Sequence, residues 1–346
     1  MNTRIVCPNE ETIQTAGEIL RNGGTVIFPT ETVYGLGANA LDETAAAKIF
    51  AAKMRPADNP LIVHIADLSE MAPLVRQIPE EALLLAERFW PGPLTMILPK
   101  ADCIPVTTSG GLDTVGIRMP ADSVAQSLIR AAGVPIAAPS ANLSGRPSPT
   151  TAQHVIEDMD GRVDMILAGH DAAVGLESTV VELVGDMVRI LRPGGITFEM
   201  LAEVVGEDHV EVDANVLRPA TGVVRSPGMK YRHYEPKAPL TAVCGTPDAT
   251  AEKIASMLAA AKEREPQIKY AVLCYEEYLG RFGCPCVPFG KKDDHLSQAC
   301  RLFDALRAFD TMDCDRILAQ CPDTDGVGLA VVNRLKRAAG FSCVDA

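Results

Sequence analysis

Two stretches near the start of the chain carry residue types suited to an anionic substrate. They are Pro29-Thr30-Glu31-Thr32-Val33-Tyr34-Gly35-Leu36-Gly37 and the cationic loop Lys53-Met54-Arg55-Pro56. Similar groups recur in short Gly- and Pro-rich segments further on: Asn59; Thr107, Thr108 and Ser109; Arg118; Ser140, Asn142, Ser144, Arg146 and Ser148; Ser178 and Thr179; and Arg192 before Pro193-Gly194-Gly195. Arginine, lysine and backbone N–H groups at strand ends suit phosphate and carboxylate oxygens. A polyphosphate fits the set. Taken singly, each member reads as a solvated charge or a turn-forming serine; recurrence at several strand ends is what points to a site. His64 sits in the apolar run Leu61 to Ile65, the pattern of a hydrogen-bonded core histidine, yet its place just past the cationic loop makes it a site candidate too.

Other chemistries are excluded or weakened. Gly35-Leu36-Gly37-Ala38-Asn39-Ala40 has the spacing of a dinucleotide loop. But a Pro-Thr-Glu-Thr-Val-Tyr segment replaces the tight turn, and Lys53 and Arg55 stand where a ribose-binding carboxylate belongs. There is no G-x-x-x-x-G-K-[ST], kinase set or G-x-S-x-G. The ten cysteines form no C-x-x-C pair and have no matching histidine pairs, so neither a zinc site nor a redox motif is expected, and most should be small core residues.

These residues need a frame to hold them. At 346 residues the default is two domains, and 47% hydrophobic with 22% charged residues is ordinary globular composition. The formal net charge of −13 argues against wholesale binding to nucleic acid or an anionic membrane, although a local cationic groove remains compatible with it. No stretch approaches the roughly 18 to 20 apolar residues of a membrane span, and the start of the chain is not signal-like, so a cytoplasmic, reduced setting is expected. Through residue 205, strands such as Thr25 to Phe28, Leu61 to Ile65 and Val115 to Arg118 alternate with helices such as Glu43 to Lys53 and Glu80 to Phe89. The runs from Met165, Ser178 and Val188 lie too close for crossover helices, which predicts a mixed sheet.

From Gly206 to Pro239 the periodicity breaks. An acidic start gives way to Arg218, Arg225, Lys230, Arg232 and Lys237 against one acid, Glu235, and so long an irregular segment reads as functional. After it, residues 240–346 restart a regular βα pattern that predicts a small Rossmann-like α/β domain. The expected division is therefore 1–205, a 206–239 linker or lid, and 240–346.

In order and spacing these runs resemble the threonylcarbamoyl-AMP synthase family, the YrdC type, in its longer two-domain form. The resemblance is carried by Pro29 to Gly37, Lys53-x-Arg55-Pro56-x-x-Asn59-Pro60-Leu61, Ser140-Ala141-Asn142-x-Ser144-Gly145, Ser178-Thr179-Val180, Arg192-Pro193-Gly194 and Ser226 to Tyr234. Gly328-Leu329-Ala330 and Asn333-Arg334-Leu335 extend it, less diagnostically, into the last domain. It implies a YrdC-like mixed twisted sheet with helices. It also implies a nucleotidyltransferase that joins L-threonine, bicarbonate or CO2, and Mg²⁺-bound ATP into threonylcarbamoyl-adenylate and pyrophosphate, for tRNA t6A modification.

By the same resemblance, Thr32, His64, Arg118, Ala138 (through its backbone) and Ser178 would hold threonine. Arg55, Asn59, Thr114, Ser140, Ser148, Arg192 and Tyr234 would hold ATP, and Lys53 would lie between, with Lys53 and Arg55 the catalytic cations. No protein-held metal is implied. The downstream partners would be the tRNA threonylcarbamoyl-transfer machinery, with a weak tRNA contact and no membrane. No covalent or acid-base set stands out, so positioning and charge neutralisation should dominate, and the linker would close over the nucleotide. The rival from another class is an RNA-binding module using the same cationic surface, disfavoured by the acidic total and 5% aromatic content.

Overall fold

The computed structural model describes residues 2–219 and 233–346. The cationic stretch of the linker from Arg225 to Arg232 therefore lies outside the described residues, while Arg218, Tyr234, Glu235 and Lys237 lie within them. The first strands along the chain are β1 (Arg4–Val6), β2 (Val26–Phe28), β3 (Gly35–Asn39), β4 (Ile62–His64), β5 (Leu94–Pro99), β6 (Thr114–Arg118), β7 (Ile136–Ala137), β8 (Met165–Leu167), β9 (Thr179–Val184), β10 (Met187–Arg192) and β11 (Val210–Val212). These form one 11-stranded sheet in the order β1-β8-β2-β3-β7-β4-β6-β5-β9-β10-β11. It is mixed: β4·β6 and β5·β9 run parallel, β2·β3, β3·β7, β4·β7, β5·β6 and β9·β10 antiparallel. Of the closely spaced last runs, β9 and β10 pair antiparallel as expected, whereas β8 pairs in parallel with both β1 and β2.

Helices α1 (Glu10–Arg21), α2 (Glu43–Lys53), α3 (Glu80–Phe89), α4 (Val106–Ser109), α5 (Ser123–Ala132), α6 (Ala152–Met159) and α7 (Phe198–Val205) cover this sheet. Asn9, Asp42, Asp122, Thr151 and Thr197 cap α1, α2, α5, α6 and α7, each side-chain oxygen taking an otherwise orphaned N–H. Leu36, Ile49, Val63, Leu94 and Val181 fill one core; Leu20, Phe28, Leu128 and Met165 fill another.

The second layer system contains β12 (Leu240–Cys244), α8 (Pro247–Arg264), β13 (Tyr270–Cys274), β14 (Cys286–Pro288), α9 (His295–Ala308), β15 (Arg316–Cys321), α10 (Gly328–Ala338) and β16 (Cys343–Asp345). Its sheet, ordered β14-β13-β15-β12-β16, pairs in parallel throughout, the Rossmann-like arrangement. Its core also takes in Val33, Leu176 and Tyr234 from beyond its own strands and helices. No helix among the described residues is long and apolar enough to cross a membrane.

Gly35-Leu36-Gly37, set aside as a dinucleotide loop, is strand β3; a Cβ on Gly37 would stand 2.8 Å from Ile136 and Phe28, so glycine here admits close packing. Two local expectations are corrected. The acidic opening of the aperiodic segment is not irregular, because Val210, Glu211 and Val212 pair in parallel with β10 at the sheet's edge. Cysteines are not mainly core residues either: Cys274 and Cys321 are buried, and Cys7, Cys103 and Cys343 are exposed.

Candidate active site

The cavity opens where the ends of β4, β6, β9 and β10 meet the loops after β2, α2 and β7. The loop after β2 is stitched by Thr30. Its hydroxyl lies 2.8 Å from that of Thr32, donates to the Val33 carbonyl and accepts from the N–H groups of Thr32 and Val33. Two polar residues fix each other inside a buried turn, which places the Thr32 hydroxyl at the cavity wall.

Helix α2 ends on Met54 in the left-handed region (φ 51°), and the chain reverses there. Lys53, 1% exposed, then points inward and donates to the carbonyls of Ser140 and Asn142, with Asn142 Oδ1 at 3.4 Å. Burial, then the Arg55 guanidinium, push its ammonium well below its ordinary pKa. Three oxygens nevertheless surround the nitrogen, and three N–H donors are what an ammonium supplies. Arg55 follows, with Nη2 3.3 Å from the Pro60 carbonyl.

On the opposite wall, Arg118 at the end of β6 pairs with Glu31 at 2.6 Å. Burial alone would raise the Glu31 carboxyl, but Arg118 brings it below its ordinary value, and Glu31 Oε2 is buried with no hydrogen-bond partner among the described residues. His64 is both core and site. Its Nδ1 lies 3.2 Å from the Ile62 carbonyl, its ring meets Phe28 edge-on, and it lines the cavity. Burial and then Arg118 lower its pKa to about 3, so it is neutral. The Ala138 N–H donates to Ile62 O; a backbone contact with a ligand would fall to its carbonyl.

Ser178, just before β9, is held by Thr95 (2.8 Å) and by Arg192, which reaches its carbonyl and its hydroxyl. Burial lowers the Arg192 pKa to about 10, leaving it charged at neutral pH. Ser140 lies across from them with its hydroxyl 2.6 Å from Asn142 Oδ1. Ser148 donates to Glu177. From the linker, Tyr234 takes a positive φ of 67°, stacks on Phe303 and lines the cavity beside His233.

The structure thus brings Thr32, Lys53, Arg55, His64, Arg118, Ala138, Ser140, Ser148, Ser178, Arg192 and Tyr234 to one cavity. Two expected residues stand apart. Asn59 is buried behind the wall with its Nδ2 unpartnered among the described residues. Thr114 lies at the far end of β6, paired with Pro99 and four residues before Arg118, which puts it about 13 Å down the strand and off the cavity lining. Sequence reasoning missed Glu177, which lines the cavity. Its counter-ion Arg334 left one readable signal, a charge set among Val331, Leu335 and Ala338 on the buried side of α10.

The family model described as telomere recombination matches residues 18–194, and that described as threonylcarbamoyl-AMP synthase, C-terminal domain, matches residues 196–340. A threonylcarbamoyl-AMP synthase of Pyrococcus abyssi is 45% identical over 333 residues, covering 96% of this chain and 95% of its own. Its Bacillus subtilis counterpart is 47% identical over 335 residues, covering 96% and 94%. The crystal structure of Pyrococcus abyssi Sua5 complexed with L-threonine superposes with a TM-score of 0.92 at 44% identity, covering 100% of this chain and 99% of that one.

Proposed function

The chain belongs to the threonylcarbamoyl-AMP synthase family, and from that premise we propose that its cavity joins L-threonine, bicarbonate or CO2, and ATP into threonylcarbamoyl-adenylate and pyrophosphate. It is an enzyme of the nucleotidyltransferase type. The observation that carries the reading is a cavity with two differently equipped walls and a buried cation between them. Thr32, His64, Arg118 and Ser178 offer hydroxyls, a neutral imidazole and one guanidinium, a set sized for an amino acid. Arg55, Ser140, Ser148, Arg192 and Tyr234 offer cations, hydroxyls and an aromatic ring, a set suited to a nucleotide. The relative whose structure contains L-threonine has the same fold along the whole chain, which supports placing the amino acid on the first wall.

In this reading Arg118, steadied by Glu31, binds the threonine carboxylate, and the hydroxyls of Thr32 and Ser178 contact the threonine side chain. The amine, once carboxylated, presents a carbamate oxygen to the α-phosphate, and pyrophosphate leaves on the opposite side. Lys53 and Arg55 neutralise the charge that builds on the phosphate oxygens. The enclosing walls hold the two reactants in line, which is where most of the acceleration would come from. Mg²⁺ enters as part of the Mg·ATP substrate. The cavity carboxylate Glu177 is committed to Arg334 and Ser148, so the nucleotide's own phosphates would carry the ion. The adenylate then passes to the tRNA threonylcarbamoyl-transfer machinery. The RNA-binding alternative draws no support from relatives named as synthases.

The test offers Mg·ATP and labelled bicarbonate with threonine, serine or no amino acid, and follows pyrophosphate and label. Threonine-dependent pyrophosphate with label in an acid-labile adenylate is expected. Pyrophosphate release indifferent to threonine, or none, defeats the reading.

A further inference from the structure

Resting on the reading of the cavity as a nucleotide site, we propose that Arg334 of the C-terminal layer system, acting through Glu177, fixes Ser148 as a hydrogen-bond acceptor, so that this wall selects a donor group on the nucleoside half of the nucleotide. Arg334 is completely buried on α10, outside the cavity lining. Its Nε donates to Glu177 Oε2 at 3.0 Å, its Nη1 to the Pro193 carbonyl at 2.8 Å and its Nη2 to the Glu177 carbonyl at 3.4 Å. One planar fork therefore ties together two segments of the first sheet, Glu177-Ser178 and Arg192-Pro193. They approach closely, since a Cβ on Gly194 would stand 2.4 Å from the Thr179 nitrogen.

The consequence for Ser148 follows from donor arithmetic. Burial alone would raise the Glu177 carboxyl, but Arg334, Arg192 and the Ser148 hydroxyl together bring it down to about 2. An ionised carboxylate only accepts. The single proton of the Ser148 hydroxyl is therefore committed to Glu177 Oε1, and toward the cavity the oxygen has lone pairs alone. Phosphate oxygens, themselves acceptors, would be rejected there. A ribose hydroxyl or an exocyclic base amine would be accepted.

Docking the two layer systems does not by itself account for an ion pair at this position. Apolar residues join them as well or better than a buried pair, and a second buried pair, Arg307 with Asp158 at 2.8 Å, already ties α9 to α6. Arg334 is thus a positioning residue. It also lies 5.9 Å from the centre of the Tyr234 ring.

The experiment measures binding calorimetrically on the full chain, using Mg·ATP and its 2′-deoxy, 3′-deoxy and inosine analogues, alongside pyrophosphate release. Wild type is expected to bind at least one analogue tenfold or more weakly than ATP. Arg334→Gln should bind ATP about tenfold more weakly and lose that discrimination, with Arg334→Lys restoring part of both. Ser148→Ala should lose the discrimination with the Arg334 network left intact, and decides the matter if Arg334→Gln does not fold. Arg307→Gln should lower Tm while discriminating as wild type does. Equal binding of all three analogues by wild type overturns the proposal, as does discrimination that survives in Ser148→Ala. If the predicted binding pattern appears without threonine-dependent pyrophosphate, this inference stands and the assigned reaction falls.

Discussion

Lys53 and Arg55 carry the charge that the proposed reaction needs most, and they hold it differently. Lys53 is enclosed by the Ser140 and Asn142 oxygens; Arg55 is the more exposed of the two. A charge-assisted hydrogen bond is worth about 1.5 to 3 kcal/mol, roughly ten- to a hundredfold in rate. Lys53→Ala and Arg55→Ala should each reduce threonine-dependent pyrophosphate release at least tenfold while the circular dichroism spectrum stays native; wild-type turnover in both removes them from the chemistry. His64 gives a pH test. Its folded pKa of about 3 lies below the ordinary 6.5, so between these values the unfolded chain binds the extra proton and stability falls as pH falls. His64→Gln should remove about one proton from that slope, roughly 1.4 kcal/mol per pH unit, measured by urea unfolding at pH 7, 5.5 and 4. His233, also lowered to about 3 by burial and Arg55, should keep a share of the slope; an unchanged slope would mean that His64 is protonated in the fold. At this scale the cations and hydroxyls were legible because several strand-end loops repeat the same chemistry. The pairing of Glu177 with Arg334 was not, because 157 residues separate the two and no local pattern couples them.

Elements with a strong period were legible to within a few residues: α2 (Glu43–Lys53), α3 (Glu80–Phe89) and β12 (Leu240–Cys244) have the bounds their patterns predict. What was lost is instructive physically. Helix α1 buries Thr12, Ala16, Gly17 and Leu20, a face too small and mixed to signal an apolar stripe, because α5 approaches so closely that a Cβ on Gly17 would meet Ala131 at 2.7 Å. Strand β3 was hidden by glycines, which weaken any strand pattern. This makes a discriminating substitution available. Gly37→Ala overpacks against Ile136 and Phe28 and should cost about 1 to 3 kcal/mol of stability, while the folded fraction binds Mg·ATP as before. A dinucleotide loop would give the reverse, with binding lost and Tm kept.

Across the molecule, the division into two layer systems was readable from the restart of periodicity near residue 240, but their mutual burial was not. Asp158 is 2% exposed and takes Arg307 from α9 at 2.8 Å and Arg146 on its other side. Such pairs are invisible to local pattern, since each partner looks like an ordinary surface charge. Removing one member strands the other, at about 3 to 5 kcal/mol. Asp158→Asn should therefore lower Tm and, in a calorimetric scan, split one transition into two as the layer systems melt apart. A single transition of unchanged midpoint would mean that they are held together elsewhere.

The separation of Glu177 from Arg334 also acts in time. At roughly 5 to 20 residues per second of synthesis, Arg334 leaves the ribosome on the order of ten seconds after the carboxylate that needs it. Through that interval the nascent first sheet has Arg192 but not Arg334 to balance Glu177. On the proposed reading, the wall bearing Ser148 is complete only once α10 has been made, and a chain ending before it would keep Glu177, Ser148 and Arg192 without the Arg334 fork.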